Sequence, residues 1–180
     1  MSRAREFADL AGSANAGGIT GRNLIINGAM EVAQRGTSTA SISSSSTYVL
    51  DRTRFGLSNG GTWTMSQSTT VPSGQGFSHS LKLDCTTADT SLGSTDYLQV
   101  QQLIEGQNVQ HLAYGTSGAK SVTVSFWIRS NKTGTYTLEV QTQTSSNAFY
   151  QNAKAFTISS ADTWETVSYT HLTLPTKRSV

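Results

Sequence analysis

The stretch Val122-Thr-Val-Ser-Phe-Trp-Ile-Arg-Ser-Asn-Lys-Thr-Gly-Thr-Tyr-Thr-Leu-Glu-Val140 places Val122, Val124, Phe126 and Ile128 in alternation with polar residues, then Tyr136, Leu138 and Val140. A period of two puts each apolar set on one face of a β-strand. Lys132, Thr133 and Gly134 fit a three-residue hairpin loop in which Gly134 supplies the positive-φ bulge position. That loop sets Asn131 opposite Thr135, Phe126 opposite Val140 and Ile128 opposite Leu138. Both apolar sets then share one buried face, whereas a one-residue slip would bury the threonines. The other face carries Ser125, Trp127, Arg129, Thr137 and Glu139. The expectation is a sandwich hairpin with one buried side.

Outward from this hairpin the chain keeps the same grammar. Upstream, strands are expected at Tyr48 to Leu57, at Thr62 to Ser68 behind the Asn59-Gly60-Gly61 turn, at Phe77 to Asp84, and at Asp96 to Ile104. Downstream, Ala153 to Ser159 and Trp164 to Thr170 flank an Ala161-Asp162 turn. Asn23 to Gly28 reads as a short buried strand ending in an Asn-Gly turn, and Thr37 to Thr47 as an exposed Ser/Thr loop. Gly106 to Tyr114 is the one internal stretch with helical character, a turn or two. Strands at roughly ten-residue spacing with almost no helix predict an all-β antiparallel sandwich or jelly roll. The missing crossover helices exclude a parallel α/β sheet.

Composition agrees. The chain has 26 serines and 26 threonines but only 13% charged residues, which favours strands with polar outer faces over helices. Recurrent Val, Ile, Leu, Phe, Tyr and Trp argue against disorder. The net charge of +2 includes Lys177 and Arg178; without them 11 basic residues face 11 acidic ones. Such a balance gives no nucleic-acid or anionic-membrane surface, and no apolar run is long enough for membrane insertion. No hydrophobic leader core occurs near the N-terminus. Cys85 stands alone, so no internal disulfide forms; it is expected to be a buried structural thiol.

Asn23-Leu-Ile-Ile-Asn-Gly-Ala-Met-Glu-Val-Ala-Gln-Arg-Gly-Thr37, followed by Tyr48-Val-Leu-Asp-Arg52, resembles the opening of jelly-roll modules in bacteriophage tail-fibre and related virion proteins. The resemblance continues through Gln101-Gln-Leu-Ile-Glu105 and Ser125-Phe-Trp-Ile-Arg129 to Thr163-Trp-Glu165, and so covers about 23–167. Arg3 to Gly12 is similar to connectors that precede such modules in marine phage fibres. These modules are similar in fold to galactose-binding-like carbohydrate-binding modules. The resemblance implies a virion location, host-surface polysaccharide or glycan and other virion proteins as partners, and a homo-oligomer such as a trimer. It divides the chain into a connector at 1–21, a jelly-roll β-sandwich at 22–167 and a tail at 168–180. Members of the family continue past the Trp-Glu strand into further core strands. Here Val167 to Arg178 looks like the read-through tails of unrelated proteins translated from assembled sequencing data, so the expectation is a C-terminally truncated domain with a non-native tail.

Catalysis is not indicated. His79, His111 and His171 lie far apart, no nucleophile or metalloprotease motif occurs, and nothing in the sequence brings Glu105 together with Asp96 or Asp84 as a glycosidase pair. Trp127 lies on the polar face of the expected hairpin, where it either stacks a sugar or is covered by a loop. Arg129 and Glu139 stand diagonally beside it and would pair or bind sugar hydroxyls. Trp63 and Tyr97 are candidates of the same kind. The resemblance implies a structural Ca2+ ligand at Glu31, with partner oxygens still to be supplied; no other cofactor is expected. Asp51 and Arg52 read as loop anchors. The leading expectation is a non-enzymatic virion module contributing to host glycan recognition. A carbohydrate-binding module of a secreted polysaccharide-degrading enzyme and a purely architectural fibre domain stand as alternatives.

Overall fold

The computed structural model describes residues 23–143 and 149–172. All ten of their strands pair antiparallel, and no α-helix occurs among the described residues. The all-β expectation therefore holds. The strands are β1 (Ser38–Ile42), β2 (Ser45–Tyr48), β3 (Arg54–Ser58), β4 (Thr62–Ser68), β5 (Ser80–Thr87), β6 (Tyr97–Gln101), β7 (Val122–Ile128), β8 (Gly134–Gln143), β9 (Phe149–Ile158) and β10 (Glu165–Leu172). Between β6 and β7, Gly106–Asn108 and Gln110–Leu112 form two 3₁₀ turns, the helical character read at Gly106 to Tyr114. The span read as one module comprises two compact units, which divide after Glu105.

The unit Gly21–Glu105 contains two three-stranded sheets, ordered β1-β4-β5 and β2-β3-β6. Their core consists of Ile42, Val49, Leu50, Phe55, Leu57 and Met65, with Met30, Ala33, Trp63, Leu81 and Leu83 packed against it. The alternation is visible in the register, where Met65 stands opposite Leu83. Similarly Phe55 is opposite Val100 and Leu57 opposite Leu98. Val100 and Leu98 thus share a face with two fully buried residues yet are 47% and 40% exposed, so that face is open over β6.

Three expectations fail in this unit. Thr37 to Thr47 is not a loop but holds β1 and most of β2, because Ile42, 5% exposed, anchors it to the core. Asn23 to Gly28 is not a buried strand: Ile25 and Ile26 are 42% and 47% exposed. The segment is held instead by the Gln102 amide, which accepts from Ile26 N (2.8 Å) and donates to Ile26 O (2.8 Å). Cys85 is exposed rather than buried. It lies on edge strand β5 beyond Leu83, where the strand runs past the core.

The second unit, described over 106–143 and 149–172, pairs β7 with β10 and β8 with β9. The Val122-to-Val140 hairpin is therefore not formed. Phe126 faces Val167 and Ile128 faces Glu165, while Leu138 faces Lys154 and Val140 faces Asn152. The two sheets meet through aromatic rings: Phe126 is edge-on to Phe156 at 5.6 Å, and Phe156 stacks on Tyr136 at 5.8 Å. Tyr169 Oη donates to Ala155 O across the same junction. β10 runs on to Leu172, past the expected module boundary at 167; the remainder of the tail, 173–180, and the connector 1–21 lie outside the described residues.

The β7–β8 link is closed by other means than a hairpin ladder. Arg129 Nε donates to Asp162 O (2.8 Å), its Nη2 reaches Asp162 Oδ1 (3.1 Å), and Asp162 N donates to Ser130 O (2.8 Å). Glu165 in turn accepts from Ser159 N (2.9 Å) and Ser160 N (2.7 Å), which shapes the β9–β10 turn around left-handed Asp162. Gly134 does have positive φ, +145°, but as the first residue of β8 with open space where a Cβ would stand. Gly134→Ala is therefore expected to lower unfolding free energy through the backbone alone, by about 1–3 kcal/mol, measured by urea titration. No change would mean that the residue relaxes to an ordinary strand conformation.

Candidate functional site

A cleft of about 350 Å3 lies within the Gly21–Glu105 unit. That is the lower end of the range of small-ligand sites. Tyr48 and Leu103 form its apolar wall above the buried Leu50; Arg35, Asp51, Arg52 and Glu105 supply its polar groups. These residues come from three places: the segment preceding β1, the end of β2 with the β2–β3 link, and the exit of β6.

Local hydrogen bonding assembles them. Asn27 adopts a left-handed conformation, φ +57°, which asparagine tolerates better than most residues. Its amide donates to Val32 O (2.9 Å) and Asp51 O (3.0 Å), and its Oδ1 accepts from Val32 N (2.9 Å). One side chain thereby ties the segment before β1 to the β2–β3 link. Asp51 Oδ2 accepts from Gln34 N (2.6 Å), fixing the backbone beside Arg35. Beneath the link, Val49 and Leu50 are buried, and Thr53 N donates to Leu50 O (3.2 Å) to complete a turn. Gln67 Nε2 donates to Met30 O (2.6 Å), binding the other end of the loop to β4.

Arg52 and Glu105 form a two-pronged pair. Nη1 lies 2.7 Å from Oε1, and Nη2 donates to Oε2 at 2.9 Å. Nη2 also donates to Leu103 O (3.0 Å). Such fork-to-fork contacts fix the planes of both groups. Glu105 holds the guanidinium still further into its charged form. The pair is roughly one-third to one-half exposed, so it orients the site more than it stabilises the fold. Arg52 Nε is buried without a hydrogen-bond partner among the described residues. Opposite, the Arg35 guanidinium sits 5.6 Å from the ring centroid of Tyr48, which is 39% exposed.

The residues singled out from sequence fall elsewhere. Trp127 pairs with Thr166 on the face of β7 away from Phe126, and Arg129 is committed to Asp162. Glu139 belongs to the other sheet, opposite Ala153, on the face of β8 away from Tyr136. The expected diagonal cluster of Trp127, Arg129 and Glu139 is not assembled, because β7 and β8 are not partners. Trp63 packs on Phe55 at 6.2 Å and donates through Nε1 to Gly60 O (2.6 Å), which makes it part of the core margin. Tyr97 is 47% exposed on edge strand β6, opposite Ser58. Glu31 meets His79 Nδ1 at 2.9 Å, and this hydrogen bond holds its carboxyl below the usual range. Among the described residues no group of three or more His, Cys, Asp or Glu is placed to hold a metal.

Asp51 and Arg52 do anchor loops, as read. Arg35 and Tyr48 were not singled out. The chain matches no family model, no curated protein and no solved structure with which it was compared.

Proposed function

We propose that this chain is a non-enzymatic module of a phage virion, on a tail fibre or similar appendage, whose jelly-roll, galactose-binding-like sandwich contributes to host-surface glycan recognition. The observation that carries the reading is the Tyr48 ring exposed in one cleft with Arg35 and the Arg52–Glu105 pair. Saccharides combine an apolar C–H face with vicinal hydroxyls. An aromatic ring satisfies the first, and planar charged groups in fixed orientation satisfy the second. The sequence resemblance over 23–167 supports the virion setting, and the all-β antiparallel architecture accords with it.

Hydrolysis is disfavoured by the same geometry. A glycosidase acid must hold a proton near neutral pH, which requires an environment that raises its pKa. Both oxygens of Glu105 are instead taken up by the Arg52 guanidinium, so neither is aimed at a ligand as a proton donor would have to be.

A glycan array probed with the full chain and with Tyr48→Ala tests the proposal. Tyr48→Ala is expected to weaken binding about tenfold or more with the β circular-dichroism spectrum unchanged. Unaltered binding by the variant, or an array without any bound glycan, would refute this site. A module of a secreted polysaccharide-degrading enzyme would use the same cleft; a glycosidase domain encoded in frame, in place of neighbouring tail and baseplate genes, would favour that reading.

A further inference from the structure

We propose that the saccharide taken by this cleft is acidic, its carboxylate or sulfate being bound by Arg35. This rests on the glycan-binding reading above and specifies its ligand. Formal charge alone does not decide it, since two guanidiniums and two carboxylates line the cleft. The inventory of hydrogen-bonding atoms does.

Both carboxylate oxygens of Glu105 are engaged by Arg52. Asp51 Oδ2 is engaged by the Gln34 amide. The acceptors are thus largely committed within the protein. The donors are not. Arg35 forms no ion pair with any described residue, and its contact with Tyr48 uses its charge rather than its N–H groups. Arg52 Nε–H also has no hydrogen-bond partner among the described residues, but it is buried, so the donors open to a ligand are those of Arg35. A guanidinium presents its N–H groups in one plane, suited to two oxygens of a single anion. The complement of a site whose open donors are spare and whose carboxylate acceptors, Asp51 Oδ1 apart, are engaged is an anionic, oxygen-rich substituent. The Tyr48 ring and the Leu103 side chain leave an apolar wall for the sugar body.

The test titrates the full chain, by calorimetry, with oligogalacturonate, with its carboxyl-reduced neutral counterpart, and with a sulfated galactan oligosaccharide. Arg35→Gln, Arg35→Lys and Tyr48→Ala are compared, each checked by circular dichroism. Binding of an acidic probe is expected to weaken with added salt and to fall about tenfold or more in Arg35→Gln, with Arg35→Lys intermediate. The neutral counterpart should bind more weakly by a similar factor. Whichever of the carboxylated and sulfated probes binds then identifies the anion. Equal affinity for the neutral probe with no loss in Arg35→Gln, while Tyr48→Ala abolishes binding, overturns the acidic ligand and leaves the glycan cleft standing. Binding indifferent to both Tyr48 and Arg35 overturns the two together.

Discussion

Phe55→Ala is expected to lower the unfolding free energy of the Gly21–Glu105 unit by about 3–5 kcal/mol. The side chain is fully buried, in the middle strand of the β2-β3-β6 sheet, with Leu57 two residues along the same face. It touches Trp63 on the other sheet, so its removal opens a cavity between layers rather than at a margin. The indole cannot move in to fill it without giving up the hydrogen bond from its Nε1 to Gly60 O. A loss of that size rivals the whole stability of a small domain. Amide exchange of the β3 and β4 backbone, followed in urea, reads this unit separately from the rest of the chain. A change below about 1 kcal/mol would show that the ring is not packed between the sheets.

Gly61→Ala carries the second large effect, about 2–4 kcal/mol of destabilisation. Gly61 has φ +84° in the turn that leads into β4, and an added Cβ would run into the carbonyl oxygen of Thr87, with Asp89 N at 3.0 Å and Ala88 C at 3.3 Å. All three obstacles are backbone atoms, so no rotamer change relieves them. Relief would require β5 to retreat from β4 where the register already shifts, between Thr62 and Trp63. Gly134→Ala serves as the comparison, since its backbone is also at positive φ but its Cβ meets nothing. If Gly61→Ala destabilises no more than Gly134→Ala does, the close approach to Thr87 is absent.

These effects show what could be read in the sequence and what could not. Thr62 to Ser68, whose alternation behind a glycine turn predicts a strand, is β4, and Val122 to Ile128, with the same period, is β7. A period of two reports which residues share a face, so Phe126 and Ile128 were correctly given an apolar side. It carries no information on the neighbour. β10 offers β7 the same alternation, through Val167 and Tyr169, that β8 was expected to offer through Leu138 and Val140. The positive φ of Gly134, a sound inference from its position, suits a strand entry as well as a hairpin bulge. The Ser-rich stretch before Tyr48 was misread because Ile42 is its one large apolar residue, and one anchor is too few to register as a period.

The cleft was legible only in pieces. Asp51 and Arg52 are adjacent, but Glu105 lies more than half the length of their unit away. What joins them is the β3–β6 pairing. Arg54 lies opposite Gln101, and extending that register outward brings Arg52 beside Leu103 and within reach of Glu105. A reader who had inferred that one pairing would have found the ion pair. Arg35 gave no such signal, because its place depends on the Asn27 and Asp51 side chains holding an irregular segment.

The nesting of β8 and β9 between β7 and β10 has a kinetic consequence. β8 ends at Gln143 and β9 begins at Phe149, so their ends need travel little to meet, whereas Ile128 and Glu165 begin far apart along an open chain. Loop-closure entropy therefore opposes the outer pair until the inner one has zipped. Once Gly134 stands beside Ile158, the span left to close shrinks to two short connectors. Arg129 and Asp162, which bridge those connectors, come within range only then. Contacts distant in sequence become local by inheritance, and loop-closure entropy favours assembly of the second unit from its centre outward, with the Arg129–Asp162 clasp expected among the last contacts made.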